Sequence, residues 1–201
     1  MPGIQALERK MPDIPVKPGR CAKHEFEYIR HGTQTLIASF NVATGKIALA
    51  TVEDTRTEKD FESHVSHLLA QFPLSPKYHL VMDCLNTHQS EALVRLVAKL
   101  ESDSIDLGEK GKSGILKSMP SRAEFLTDPN HRLVIHFTPK HCSWLNQIEI
   151  WFSILVRKLL RRGNFASKDD LKKRILDFVK YFNLTMAKPF KWTYKGKPLA
   201  A

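Results

Sequence analysis

The sequence predicts an α/β fold in which a mixed sheet is flanked by helices, and two observations carry that expectation. Read by hydrophobic period and turn residues, the segments run as two strands, a helix, a strand, a helix, a strand and two helices. A chain that alternates strands with helices packs as a sheet covered by helices. The second observation is size and composition. At 201 residues, 42% hydrophobic and 26% charged, the chain can bury one core of ordinary size and is short for two. A single domain over 1–201 follows.

Residues 1–23 hold Pro2, Pro12, Pro15 and Pro18 beside Gly3 and Gly19 and read as an extended lead-in. From about His24 to Phe40, Phe26, Tyr28, Leu36, Ala38 and Phe40 keep a period of two, which predicts a strand. Lys46–Val52 is its partner, with Thr44-Gly45 turning the hairpin. Thr57 and Asp60 form a capping box ahead of a helix whose apolar residues are Phe61, Val65, Leu68, Leu69 and Phe72; Pro73 and Pro76 end it. Tyr78–Met82 is a short apolar run of buried-strand type. Ala92, Leu93, Leu96, Val97 and Leu100 share one face of a second helix.

Residues 101–130 are polar and read as an inserted loop. Leu133–Phe137 is another strand. A long helix starts near Ser143, with Trp144, Ile148, Trp151, Leu155 and Leu159 on its core face. The last helix is capped by Ser167 and Asp170 and buries Leu171, Ile175, Phe178, Val179 and Phe182.

Composition narrows the function classes. No apolar run is long enough to span a bilayer and no signal-peptide pattern opens the chain, so a cytoplasmic protein without membrane partners is the expectation. Cys21, Cys84 and Cys142 are few, odd in number and scattered, which predicts reduced thiols. The formal net charge is +10. Residues 157–201, the basic C-terminal helices and tail, hold 13 Lys and Arg against Asp169, Asp170 and Asp177, so the whole excess lies there. Such clustering is the footprint of a polyanion binder, although charge alone fits a solvated face equally well.

Two carboxylates stand out. Asp83 directly follows a buried strand, and the carboxyl ends of strands in α/β sheets gather ligands and catalytic groups; a helix N-cap is the competing reading. Glu149 lies within the long helix. At about 100° per residue it falls at the edge of the apolar face, half buried beside Leu145 and Val156 and on the side of Asn146 and Ser153. An ordinary solvated glutamate is the alternative. A zinc site from Cys84, His88, His141 and Cys142 lacks the paired spacings zinc sites use. GEKGKSG at 108–114 lacks the first glycine and the leading strand of a phosphate loop. His79 and His136 fall within strands and read as satisfied structural histidines.

One resemblance sharpens this. HFTPKHCSWLNQIEIWFSILVRKLLRRGNF is similar to the signature of bacterial insertion-sequence transposases related to mariner elements, the insertion-sequence family six-thirty of the DDE superfamily. VMDCLNTH resembles its second-aspartate block, EYIRHGTQTLIASFNVATGKI its early hairpin, and KPFKWTYKGKP its C-terminal ending. The resemblance implies a ribonuclease-H-like (retroviral-integrase-like) fold and assigns Asp83 and Glu149 to catalysis and metal binding. It further implies two Mg²⁺ or Mn²⁺ ions, DNA partners (element ends and target), a homodimer as one admissible assembly, and cleavage with strand transfer. Arg157, Lys158, Arg161, Arg162, Lys172, Lys173 and Arg174 would hold phosphates. Asp83 and Glu149 lie further apart than in many relatives, which the 101–130 insertion accounts for.

In that family a first strand ending in an aspartate precedes the stretch matched by Gly3–Arg9, and neither is present after Met1. The expectation is therefore a truncated domain lacking its first strand, catalytically weak on its own. The rival is a non-catalytic DNA-binding or protein-interaction remnant of the same fold.

Overall fold

The computed structural model describes residues 1–102, 104–139, 142 and 145–189. Three antiparallel strands open the fold, β1 (Ile4–Arg9), β2 (Tyr28–Asn41) and β3 (Lys46–Glu53), with β2 in the middle. β1 corrects the lead-in reading of 1–23. Only Ile4 and Ala6 are buried in it, too few alternations to reveal a strand among Gly and Pro neighbours. Beyond it the chain makes a narrow arm, bridged at Ile14–Lys23 and Lys17–Arg20 and turned at Pro18-Gly19, where Gly19 has φ 72°. β2 starts at Tyr28 rather than His24, and Phe26 stands exposed.

Helix α1 (Glu58–Ala70) carries the expected capping box between Thr57 and Asp60. Strand β4 (Tyr78–Met82) pairs in parallel with β5 (Leu133–Phe137), and between them lie α2 (Glu91–Glu101) and α3 (Met119–Leu126). The polar stretch 101–130 is thus structured, which corrects the inserted-loop reading. Ser118 and Ser121 make a reciprocal capping box, Pro120 sits in the first turn of α3, and Leu107, Leu116 and Leu126 are buried. Eight helical residues with a single fully buried leucine give no readable period, so pattern alone could not find α3.

Helix α4 (Ile148–Leu155) passes directly into a π-helical turn at Val156–Leu160. It starts later than expected; the anticipated Ser143 and Trp144 positions, and His141 of the zinc alternative, lie outside the described residues. Helix α5 (Lys168–Thr185) has Ser167 accepting from Asp170 N–H at 3.0 Å.

The single mixed sheet expected from the sequence is two sheets among the described residues, β1-β2-β3 and β4-β5. Each has its own core. Trp151, Leu155, Phe165, Leu171, Ile175 and Phe182 pack on Ile4, Leu36 and Val52. Val65, Leu93, Val97 and Leu126 pack on Met82, Leu133 and Ile135. Buried His64 joins α1 to the first sheet, hydrogen-bonded to Ser39 Oγ at 2.9 Å and Thr51 Oγ1 at 2.8 Å. Burial pushes its imidazole down to about 4, helped by the charge of His67.

Candidate active site

Asp83 sits one residue past the end of β4, anchored by buried Met82. Its Oδ1 accepts from Leu85 N–H at 3.3 Å and lies 2.7 Å from His88 Nδ1, which is also 3.0 Å from the Asp83 backbone carbonyl. The His88 ring rests on Phe61 of α1, centroids 4.5 Å apart. The helix-cap reading of Asp83 fails, since Ser90 caps α2. A carboxylate gripped on one oxygen at the end of a paired strand has a defined direction. β4 is not the fully buried strand its apolar run suggested: His79 and Val81 are exposed and only Met82 is buried.

Glu149 lies in the first turn of α4, where a negative charge complements the helix dipole. Trp151 and Leu155, both buried, lock the helix to the first sheet. The sequence placed Glu149 half buried; it is exposed. Its neighbours are those the helical wheel gave, with Leu145, Asn146, Ser153 and Val156 lining the same cleft.

Asp83 and Glu149 both line one cleft of about 810 Å³, although they come from different elements. A second observation agrees. The amino group of Met1, a residue that lines the cleft, is bonded to the Leu36 carbonyl at 2.7 Å and is lowered in pKa by burial. The carboxylates of Glu149 and Asp83 oppose that shift, with Arg56 acting in the same direction as burial.

Sequence reasoning missed Arg56, which lines the cleft from the loop after β3 and which no pattern in EDTRTEKD singles out. Gln147 also lines the cleft, and its Oε1 has no hydrogen-bond partner among the described residues. His79 and His136, expected to be satisfied and structural, bond each other at 2.9 Å, yet both are exposed.

The basic residues divide into two groups. Arg157 lines the cleft. Lys158, Arg161, Arg162 and Lys173 are exposed and pair with no carboxylate among the described residues. Lys172 instead pairs with Glu53 at 3.3 Å, and Arg174 with Asp170 at 2.9 Å while lying over the Phe165 ring. Among the described residues, no group of three or more His, Cys, Asp and Glu is arranged to hold a metal, and no helix is long and apolar enough to cross a membrane.

These features define an α/β domain with two acids at one cleft and a basic C-terminal side. The family profile of the DDE superfamily endonucleases matches residues 3–172, and the chain belongs to that family. No curated protein and no solved structure gives a significant match. Family membership makes the chain a transposase-like nuclease domain.

Proposed function

We propose that this chain is the catalytic part of a DNA transposase of the mariner-related insertion-sequence family six-thirty, a single ribonuclease-H-like domain over 1–201 that cuts DNA and transfers strands. The observation that carries this reading is the opening of Asp83 and Glu149 onto one cleft. The fold reading is supported by a three-stranded antiparallel unit followed by a parallel strand pair, with the second acid on a helix.

Hard carboxylate oxygens suit Mg²⁺ or Mn²⁺, and Mg²⁺ is commonly held by one or two carboxylates together with substrate phosphates. Asp83 and Glu149 would hold one such ion by their chemistry, and a second requires donors beyond them, since no group of three or more metal-type side chains gathers among the described residues. When bound, the ion supplies Lewis-acid polarisation of a phosphoryl oxygen. The chain's own residues position the reactants. His88 and Leu85 N–H hold Asp83 Oδ1, while Oδ2 carries no hydrogen bond among the described residues. Arg56 and Arg157 offer guanidinium forks to a phosphate entering the cleft. Lys158, Arg161, Arg162 and Lys173 hold flanking phosphates without reading sequence.

The test is Mg²⁺- or Mn²⁺-dependent nicking of element-end DNA, which Asp83→Asn and Glu149→Gln should each abolish. Nicking that survives both substitutions overturns the assignment. The donor count of two favours one second reading, a DNA-binding remnant without catalysis. Binding of the same DNA with no metal-dependent cleavage would support it.

A further inference from the structure

The arm between β1 and β2 stands clear of both cores, and every residue from Lys10 to His24 is exposed. It keeps the register of the strands that carry it, with the pairs Leu7–Arg30 and Arg9–Tyr28 in the sheet followed by Ile14–Lys23 and Lys17–Arg20 in the arm. Both bridges are two-way. Ile14 and Lys23 exchange backbone bonds of 2.9 and 3.0 Å, and Lys17 and Arg20 bonds of 3.1 and 2.9 Å. Pro18 followed by Gly19 at positive φ is the residue pair a type II turn takes. The chain from Lys10 to Lys17 therefore carries the tip up to about 23 Å from the sheet. Pro12, Pro15 and Pro18 remove N–H donors from one limb, which spoils that edge for a further strand.

Charge is sorted along the arm. Below the Ile14–Lys23 bridge the acids are engaged locally. Asp13 accepts from Glu25 N–H at 2.8 Å and lies 2.7 Å from His24 Nδ1, and Glu27 pairs with Lys10 at 2.8 Å. Glu25 Oε1 accepts from the N–H groups of Phe26 and Glu27 at 2.8 and 2.9 Å. From Ile14 to Lys23 the sequence holds no acid, and Lys17, Arg20 and Lys23 pair with no carboxylate among the described residues. Because the whole net excess of charge lies in 157–201, summed charge hides this basic tip. Three cations at the end of a slender exposed arm, with no counter-charge beside them, project a positive field toward a polyanion.

We propose that the arm is a second DNA-contacting element, apart from the basic C-terminal side. It is a two-stranded ribbon that lies in the major groove, with Lys17, Arg20 and Lys23 on the phosphates of the groove walls. Shape selects the groove: a major groove about 12 Å wide admits a two-stranded ribbon, and a minor groove about 6 Å wide does not. Charge selects the duplex, since each cation that neutralises a phosphate releases a condensed counterion. Ile14 and Val16, 56% and 72% exposed beside the cations, supply the apolar contact that a thymine methyl takes. The prolines on one limb argue against a partner that adds a strand. The inference rests on the nuclease reading only for DNA as the polyanion, and it uses neither Asp83 nor Glu149.

The test joins a binding measurement to a cross-link, both in the full chain. Lys17→Gln, Arg20→Gln and Lys23→Gln together should weaken binding to a duplex of fixed length by about tenfold or more at low salt. The slope of log affinity against log salt should flatten by up to about 2.7. A variant in which Asn-Gly replaces residues 11–26, closing the hairpin at Lys10 and Glu27, should show the same loss with its circular dichroism unaltered. Cys21, exposed beside Arg20, is the reporter for the groove. A tether ending in an activated disulfide should capture Cys21 from cytosine N4, which opens into the major groove, and not from guanine N2 in the minor groove. Cys21→Ser should abolish the capture. Full affinity and an unaltered slope in both variants overturn the proposal, as does capture that prefers guanine N2 or survives Cys21→Ser. Loss of a dimer on shortening the arm, with DNA affinity kept, also overturns it and makes the arm a contact between copies. No cleavage is read, so failure here leaves the nuclease test standing, and loss of nicking in Asp83→Asn with the capture intact leaves the arm standing.

Discussion

Replacing Lys158, Arg161, Arg162 and Lys173 together with alanine separates a DNA-binding surface from a solvated one. All four are exposed and unpaired among the described residues, so the substitutions leave folding almost unaltered, within roughly 0.5 kcal/mol each. Each phosphate contact contributes about 0.9 to the slope of log affinity against log salt, so losing four contacts flattens that slope by up to about 3.6. Over a fourfold rise in salt, the difference amounts to a salt sensitivity smaller by on the order of 100-fold. Fluorescence anisotropy with a duplex of fixed length, read at four or five salt concentrations, measures it directly. A matched control replaces Lys168, Lys172 and Arg174, which pair with Asp54, Glu53 and Asp170. These side chains must leave a carboxylate to reach a phosphate, so the control slope should change less. An unaltered slope in the first variant, or a larger change in the control, would refute the argument and leave the basic side as a solvated face.

Acid sensitivity should track His64. Its folded pKa of about 4 lies below the ordinary value of 6.5, so the unfolded chain takes up the proton first, and stability present above pH 6.5 is lost as pH falls toward 4. The shift corresponds to about 3 kcal/mol, and urea unfolding of His64→Gln should lose that part of the pH dependence between 6.5 and 4. Leu116→Ala should destabilise by about 2–5 kcal/mol, because Leu116 is fully buried in the core around Met82 and Leu93. A cost below about 0.5 kcal/mol in urea unfolding would mean that 101–130 is the loop its polarity suggested.

Where periodicity was strong the sequence was readable. The capping box at Thr57 and the buried Leu171, Ile175 and Phe182 of α5 are where pattern placed them, because each helix has a cap residue and an apolar stripe. In α2, Leu93 and Val97 are buried as placed, but Val94 and Ala98 are buried too, while Ala92, Leu96 and Leu100 are only half-buried. Legibility failed where local signals were short. β1 buries two residues, and α3 is held by two serines and one buried leucine. It also failed for the sheet as a whole, since strand order gives no notice that β2 and β4 stand apart. At the site, Asp83 was visible as the polar end of an apolar strand and Glu149 through its dense polar surroundings. Arg56 was invisible, because a loop residue reaches a cleft by chain path rather than by pattern.

The central claim is that Asp83 and Glu149 act on one cation, and Mn²⁺ binding in a double-mutant cycle tests it without any need for cleavage. Isothermal titration of the wild type, Asp83→Asn, Glu149→Gln and the double variant should show each single substitution weakening Mn²⁺ at least tenfold. The double variant should be little worse than either single one, since groups that share a partner couple by about 0.5–3 kcal/mol. Losses that simply add, or a single variant that binds Mn²⁺ like the wild type, would contradict a shared site.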